Sequence, residues 1–198
     1  MDSGATVDGR VLRGQRSREA ILQAVVDLYR TGDLNPTAAQ IARGAGLSER
    51  SVFTHFDDLD TLAGAVSAAY EPLFQDLIKA PIVKGDATAR VNALVHHRAT
   101  FWEKVTPVSR AARVKAADNT DVRHSLDRAL ALLRQQVGTV FAPELCSVTD
   151  PDDRETLLEA LDTTLGWETW DRLRSARRLD TEQAEAVVAR MSRALLAV

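Results

Sequence analysis

Residues 37–56, TAAQIARGAGLSERSVFTHF, decide the fold of this chain, because they predict two short helices joined by a tight turn. Thr37 and Gln40 have the spacing of a capping box, in which each side chain accepts a hydrogen bond from the other residue's backbone amide. Gly46 stands where the first helix must end in a left-handed conformation, and Ser48 can cap the second helix through its side-chain oxygen. The spacing predicts a pair of helices that cross at a steep angle.

The second helix of this pair has an apolar side and a polar side. The apolar seam that joins the two helices consists of Ile41, Ala45, Leu47, Val52 and Phe56. The polar side consists of Arg50, Ser51, Thr54 and His55. These side chains can hydrogen-bond to base edges and phosphates if the helix lies in the major groove of DNA. An ordinary helical hairpin, in which the same residues are only solvated, has the same pattern.

The segments on either side favour a DNA-reading element over an ordinary hairpin. An amphipathic helix precedes the pair and ends at Gly32. Its apolar face consists of Ile21, Ala24, Val25 and Leu28. A long apolar helix follows, and Asp57 or Asp58 can cap its first turn.

With these segments included, residues 16–62 resemble the DNA-binding domain of the TetR/AcrR family of bacterial transcriptional regulators. The residues that carry the resemblance are Ile21, Leu22, Ala24, Ile41, Ala42, Ala45, Gly46, Leu47, Ser48, Val52, Phe53, His55, Phe56 and Leu62. The resemblance implies an all-α chain of about nine helices, with a helix-turn-helix domain in residues 16–56 and a helical ligand-binding and dimerisation domain in residues 57–198. The residues expected to face DNA are Thr37, Gln40, Ser48, Arg50, Ser51, Thr54 and His55.

Two positions depart from the family's pattern. Phe53 and Leu59 stand where the family usually has a tyrosine and a lysine, both of which contact phosphate. The neighbouring acids are Asp57, Asp58 and Asp60. These acids would repel the DNA backbone unless they turn inward to cap the next helix. Either the chain relies on Arg50 and its N-terminal arginines for DNA binding, or it no longer binds DNA in the family's manner, and the retained turn and capping residues favour the first.

The charge of the chain is unevenly distributed along its length. A net charge of −3 argues against a protein that coats nucleic acid indiscriminately, because such proteins have a broad positive surface. Between Gly9 and Phe56, however, seven arginines stand against four acids. A specific DNA reader needs only a local positive patch of this kind.

The first fifteen residues lack apolar periodicity and are predicted to form a disordered arm. The arginines in and just after this segment are Arg10, Arg13, Arg16 and Arg18. They form either an arm directed toward phosphates or the minor groove, or a solvated tail.

After residue 56 the sequence pattern is helical throughout. Pro72 is expected to kink or split the first long helix near residues 69–71. Further helices are expected over residues 86–104, 106–117, 121–141, 150–176 and 180–198, with a break at Pro143.

The last two helices carry more apolar surface than a peripheral pair needs. The residues expected at a partner interface are Leu157, Leu161, Leu165, Val188, Met191 and Leu195. The resemblance implies a four-helix bundle across a two-fold axis, which forms a homodimer and places two recognition helices on a palindromic operator. The alternative is burial of the same residues against the subunit's own core.

A small-molecule effector is implied by the resemblance, with a site between the linking helix and the middle helices. Its binding would move the two DNA readers apart, and this requires different affinities for the two states. The candidate pocket residues are Phe74, His97, Phe101, Trp102, Phe141 and Trp167. Each of these side chains is equally suited to an ordinary core position.

Several classes of protein find no support in the sequence. No run approaches the roughly 20 apolar residues of a membrane span, and no signal peptide is present, so a cytoplasmic protein is expected. Cys146 is a single cysteine, expected to be buried and inert, and neither a metal nor a cofactor is predicted. No common catalytic motif indicates an enzyme. The sequence therefore predicts a ligand-responsive, DNA-binding repressor; the alternative is a helical small-molecule-binding protein or enzyme that has lost DNA binding.

Overall fold

The computed structural model describes residues 4–78 and 85–197, and all regular structure in these two ranges is helical, as predicted. The α-helices are α1 (Gly4–Arg30), α2 (Ala38–Ala45), α3 (Glu49–His55), α4 (Leu59–Ile78), α5 (Ala87–Lys115), α6 (Thr120–Val140), α7 (Ala142–Ser147), α8 (Pro151–Leu165), α9 (Trp167–Asp171) and α10 (Thr181–Leu196). A short π-helix, Arg172–Ala176, continues from α9.

The chain forms two compact units, and their boundaries fall inside helices α4, α5 and α6. The first unit comprises Met1–Ala69 and Pro107–Leu126, and the second comprises Tyr70–Thr106 and Asp127–Val198. This division differs from the single boundary after residue 56 that the sequence predicts. The difference arises because the end of α5 and the start of α6 belong to the first unit, although they are far from it in sequence.

Hydrogen bonds explain why the α5–α6 junction belongs to the first unit. The Lys115 ammonium donates to the side-chain oxygen of Asn35, between α1 and α2, at 2.6 Å. Asn119 donates to the backbone carbonyl of Asp60 in α4 at 2.9 Å, and its side-chain oxygen accepts from the Val122 amide and caps α6. These contacts link the junction to the helix-turn-helix segment. The buried residues of the first unit include Ile21, Val25, Ile41, Val52, Leu62 and Val66.

The second unit has its own apolar core, drawn from α5, α6, α7, α8, α9 and α10. Its least exposed members include Val91, Val105, Val137, Phe141, Leu161, Leu165 and Ala184. Helices α8 and α10 begin just after residues 150 and 180, where the sequence predicts their starts. Asp150 accepts from two first-turn amides of α8, and Asp180 with Gln183 forms a capping box at α10. Both helices therefore begin where capping acids satisfy amides that have no partner within the helix.

The structure differs from the prediction at the N-terminus. Helix α1 begins at Gly4, so residues 4–15 are helical where the sequence predicts a disordered arm, and residues 1–3 lie outside the described residues. The sequence pattern misses this extension because it carries three glycines and no apolar stripe. Extending an existing helix fixes only one residue for each hydrogen bond gained, so the packed part of α1 can support it.

Prolines and a glycine account for the differences between the helices that the sequence predicts and those in the structure. Pro107 lies inside α5 and Pro72 inside α4, so neither proline splits its helix. Buried apolar residues on both sides of Pro107, Val105 and Val108, give α5 a stabilising contribution that offsets the lost backbone bond. By contrast, Gly166 ends α8, and the helix predicted to run to residue 176 is divided there.

Candidate functional sites

The α2–turn–α3 segment has the local geometry that the sequence predicts. The Thr37 amide donates to the side-chain oxygen of Gln40 at 2.8 Å, and the Gln40 amide donates to the Thr37 hydroxyl at 3.3 Å. Gly46 has φ +67°, a left-handed conformation that favours glycine. The Ser48 hydroxyl accepts from the Ser51 amide at 3.1 Å and caps α3. Local sequence therefore fixes both ends of the turn.

A second glycine allows α1 and α2 to pack closely. A Cβ atom on Gly44 would lie 3.1 Å from the Cβ of Ala24 in α1, so both small residues are needed for this approach. Ala42, another small residue of α2, is also buried. The sequence pattern gives no sign of the part played by Gly44.

The residues expected to face DNA fall into two groups. Thr37, Gln40 and Ser48 hold the helix ends, and the Gln40 amide group also donates to Asp33 at 2.7 Å. They shape the element, and their polar groups are mostly engaged in doing so. Arg50 and Thr54 are exposed on α3, with Ser51 and His55 half-buried beside them.

Arg50 is an exposed cation on α3. Within residues 4–78 and 85–197 its guanidinium has neither a hydrogen-bond partner nor an ion-pair partner, so its donors are available. The Thr54 hydroxyl donates to the Arg50 carbonyl at 2.8 Å and keeps its acceptor lone pairs free for a further bond. The outer side of α3 therefore presents the guanidinium donors of Arg50 next to the hydroxyl acceptor of Thr54.

The two departures from the family's pattern have different environments. Phe53 is 47% exposed on α3. Leu59 lines a small crevice of the first unit with Tyr29 and Lys115, so a lysine there would not be a simple surface change. Asp58 is the residue that caps α4. It accepts from the Thr61 amide at 2.6 Å, and this bond lowers the pKa of its carboxyl.

The arginines near the N-terminus lie on α1. Arg18 stacks over the ring of Phe56, at the end of α3, with its guanidinium carbon 4.9 Å from the ring centre. Arg13 and Arg16 are exposed earlier on the same helix. A cation is thus held beside the end of α3 by its stacking on an aromatic ring.

A groove on the second unit contains two of the six predicted pocket residues. It has a volume of about 260 Å³ and is lined by Leu73, Asp76, His97, Thr100, Phe101, Lys104 and Val105. Phe74 packs edge-on against Phe101, with ring centres 4.8 Å apart. Trp102, Phe141 and Trp167 do not line this groove but belong to the core. Sequence could not separate the two groups because the spacing of residues along a helix does not show whether a side chain lines a groove or belongs to the core.

Arg98 is a buried cation that the sequence analysis does not single out. It is 1% exposed, and its guanidinium donates to the Gln136 side chain at 3.1 Å, the Leu165 carbonyl at 3.2 Å and the Leu133 carbonyl at 2.6 Å. Burial lowers its pKa to about 10, against the opposing effect of Asp162 at 3.9 Å. Its position in the apolar repeat of α5 is the feature of the sequence that could have predicted its burial.

The predicted partner interface on α8 and α10 is only partly exposed. Leu161, Leu165 and Val188 are buried in the core of the second unit, so they cannot form the interface as predicted. Leu157 is half-buried, while Met191 and Leu195 are 41% and 38% exposed. Helical periodicity shows that a face is apolar but does not show whether the chain itself covers it.

Three further expectations concern cysteine, metals and membranes. Cys146 is exposed on α7, so the prediction of a buried thiol is wrong. It lies in a short helix in which Leu145, not Cys146, faces the core. In the described part of the chain, no group of three acidic, histidine or cysteine side chains is placed to hold a metal ion. None of the helices described is both long enough and apolar enough to span a membrane.

Solved structures with the same fold include several transcriptional regulators. A TetR-family regulator from Streptomyces coelicolor is 18% identical, with a TM-score of 0.74 over 92% of this chain and 81% of that one. A transcriptional regulator from Rhodococcus sp. Rha1 is also 18% identical, with a TM-score of 0.69 over 91% of this chain and 96% of its own. The multidrug binding protein EbrR, solved with imidazole, is 17% identical, with a TM-score of 0.54 over 88% and 93%. No protein-family model and no curated protein matches the sequence.

Proposed function

We propose that this chain, whose fold is that of the TetR-family transcriptional regulators, is itself a DNA-binding transcriptional regulator of that kind. The observation that carries the proposal is the recognition helix α3. It is capped at Ser48, it follows a left-handed turn at Gly46, and it presents the unpartnered guanidinium of Arg50. A helix with this exposed side is suited to the major groove, where arginine recognises guanine through two parallel hydrogen bonds.

Phosphate contacts would come from residues around α3. His55, at the end of α3, is expected to bind phosphate, as its counterpart does in the family. The arginines of α1 add positive charge, and Arg18 is held beside the end of α3 by its stacking on Phe56. Such contacts supply affinity for any sequence and set the position of α3, while contacts to base edges supply selectivity.

The regulator would act as a homodimer on a palindromic operator. Met191 and Leu195 are exposed apolar residues on one helix, and a second copy of α10 and α8 would remove them from water. Two-fold symmetry then places two α3 helices on half-sites about one helical turn, or a multiple of it, apart. Repression follows if this occupancy blocks a promoter. Such a protein acts on chromosomal DNA in the cytoplasm.

A small-molecule effector would bind in the groove of the second unit. The groove is mostly apolar, with polar groups from His97, Thr100 and Lys104 that can orient a ligand. EbrR, which has the same fold, is named as a multidrug binding protein. Helix α5 carries these groove residues and, further along, Lys115, which bonds to Asn35 in the first unit. An effector that prefers one arrangement of α5 would therefore shift the population of DNA-competent molecules.

Selection from a pool of random duplexes tests the proposal and does not require the target genes to be identified first. We expect the full-length protein to enrich a palindrome with two half-sites, and a reporter driven by a promoter containing it to be repressed. A protein that enriches no sequence would instead be a helical small-molecule-binding protein or enzyme without DNA binding. The acids around Asp57 and the missing phosphate contacts at Phe53 and Leu59 make that the second candidate.

A further inference from the structure

Phe53 places an aromatic ring on the DNA-facing side of the recognition helix. It is 47% exposed and is the one aromatic among the large hydrophobic residues exposed in residues 4–78 and 85–197. On α3 it lies three residues after Arg50 and one before Thr54, so the three side chains share the outer side of the helix. An apolar surface of this size lies where the proposed function brings a base edge.

The chemistry of the ring restricts what can cover it. A phenyl ring has no donor for a phosphate oxygen, so the contact usual for the family's tyrosine at this position is not available. In the major groove the apolar group that distinguishes one base from the others is the C5-methyl of thymine. Covering both the ring and the methyl removes apolar surface from water at no cost in hydrogen bonds.

We propose that Phe53 contacts a thymine methyl group in each half-site of the operator and thereby acts as a specificity-determining residue. The inference rests on the proposed function. Three residues of helix advance about 4.5 Å, and one base pair advances about 3.4 Å along the duplex. The thymine therefore lies within one or two base pairs of the base that Arg50 contacts.

The expected effect is the loss of one buried methyl group per half-site. Burial of a methylene-sized group corresponds to about a four-fold change in affinity, or roughly fifteen-fold when both half-sites are altered together. Deoxyuridine differs from thymidine only in this methyl, so it removes the contact and leaves the hydrogen-bonding edge unchanged.

The experiment uses the full-length protein and the palindrome recovered from random DNA. Thymidines are replaced by deoxyuridine at one symmetric pair of positions at a time, and dissociation constants are measured for the wild-type protein and for Phe53→Ala and Phe53→Leu. We expect one symmetric pair near the Arg50 base to weaken wild-type binding about fifteen-fold. Phe53→Ala should bind the two DNAs equally, while Phe53→Leu should retain part of the difference. Leu12→Ala, an exposed apolar change on α1, is the matched control and should respond like wild type.

Three results would overturn the inference. One is a palindrome with no thymine within two base pairs of the Arg50 base. Another is wild-type binding that is unchanged by every deoxyuridine substitution, which would place the ring against the sugar-phosphate backbone. The third is a methyl effect that persists undiminished in Phe53→Ala. All three are distinct from failure of the proposed function, in which no sequence is enriched from the pool.

Discussion

Replacing Arg98 with alanine is expected to destabilise the second unit more than any surface charge change of similar size. The guanidinium is 1% exposed and donates to one side chain and to two backbone carbonyls, those of Leu133 and Leu165. Alanine removes one donor from each of these buried acceptors, although Trp102 Nε1 still donates to the Leu165 carbonyl at 3.3 Å. It also leaves the half-buried Asp162 without the cation that lies 3.9 Å from it. Burial already raises the pKa of Asp162, and Arg98 opposes that shift.

The magnitude follows from the loss of a buried, hydrogen-bonded cation and of its ion pair with Asp162. Removal of one partner from a buried, hydrogen-bonded charge costs about 3–5 kcal/mol. For a chain of this length, each kcal/mol lowers Tm by about 2–4 °C, so we expect a fall of roughly 6–20 °C. Arg98→Met should cost less than Arg98→Ala because its side chain leaves a smaller cavity, but methionine restores none of the hydrogen bonds that the guanidinium donates.

Calorimetry of the full-length protein measures this effect, with Arg134→Ala as the control. Arg134 is a more exposed arginine of α6 that forms ion pairs with Glu155 and Glu159. Surface pairs of this kind contribute about 0–1 kcal/mol, so the control should shift Tm by no more than a few degrees. Equal shifts for Arg98→Ala and Arg134→Ala would refute the claim that the Arg98 bonds are sealed from water.

Two further predictions concern pH and assembly. Burial, followed by the charge of Asp33, raises the pKa of Tyr29 to about 12. Between pH 10 and 12 the folded chain therefore keeps a proton that the unfolded chain releases. The resulting contribution to the free energy of unfolding, about 2.7 kcal/mol, is present below pH 10 and is lost as the pH rises to 12. Because the lowered pKa of Arg98 acts in the opposite direction over the same range, the measurement is the difference in unfolding free energy between wild type and Tyr29→Phe. That difference should shrink between pH 10 and 12, and a constant difference would contradict the assigned burial. For assembly, sedimentation should show that Met191→Arg with Leu195→Arg converts a dimer to a monomer with unchanged helical content. A variant that stays dimeric would move the interface away from α10.

The helix ends were predictable from sequence because capping is local. Thr37 with Gln40, Ser48 and Asp180 with Gln183 each satisfy an amide within three residues, so spacing alone identifies them. The left-handed turn at Gly46 is likewise predictable from the local sequence. These features set the geometry of α3, the proposed recognition helix, and explain why its outward residues could be predicted.

Features that depend on distant parts of the chain were not predictable in this way. The apolar pattern of α8 and α10 does not reveal that Leu161 and Val188 are covered by their own subunit, while Met191 remains exposed. Nor does it reveal that Asn119 binds the Asp60 carbonyl and joins the α5–α6 junction to the first unit. Helix periodicity gives the apolar side of each helix, and tertiary packing decides what covers it.

The measurement that tests the role of α3 most directly compares selective with nonselective DNA binding. Affinities for the selected palindrome and for a scrambled duplex are measured at one salt concentration for wild type, Arg50→Ala and Arg177→Ala. Arg177 is an exposed arginine of the second unit and controls for the loss of one positive charge. A base contact by arginine contributes about 1–3 kcal/mol of discrimination. Arg50→Ala should therefore reduce the ratio of the two affinities by about five-fold or more per half-site, and Arg177→Ala should leave it unchanged. An equal loss of both affinities in Arg50→Ala would show that this side chain contacts only phosphate, and would contradict the placement of α3 in the major groove.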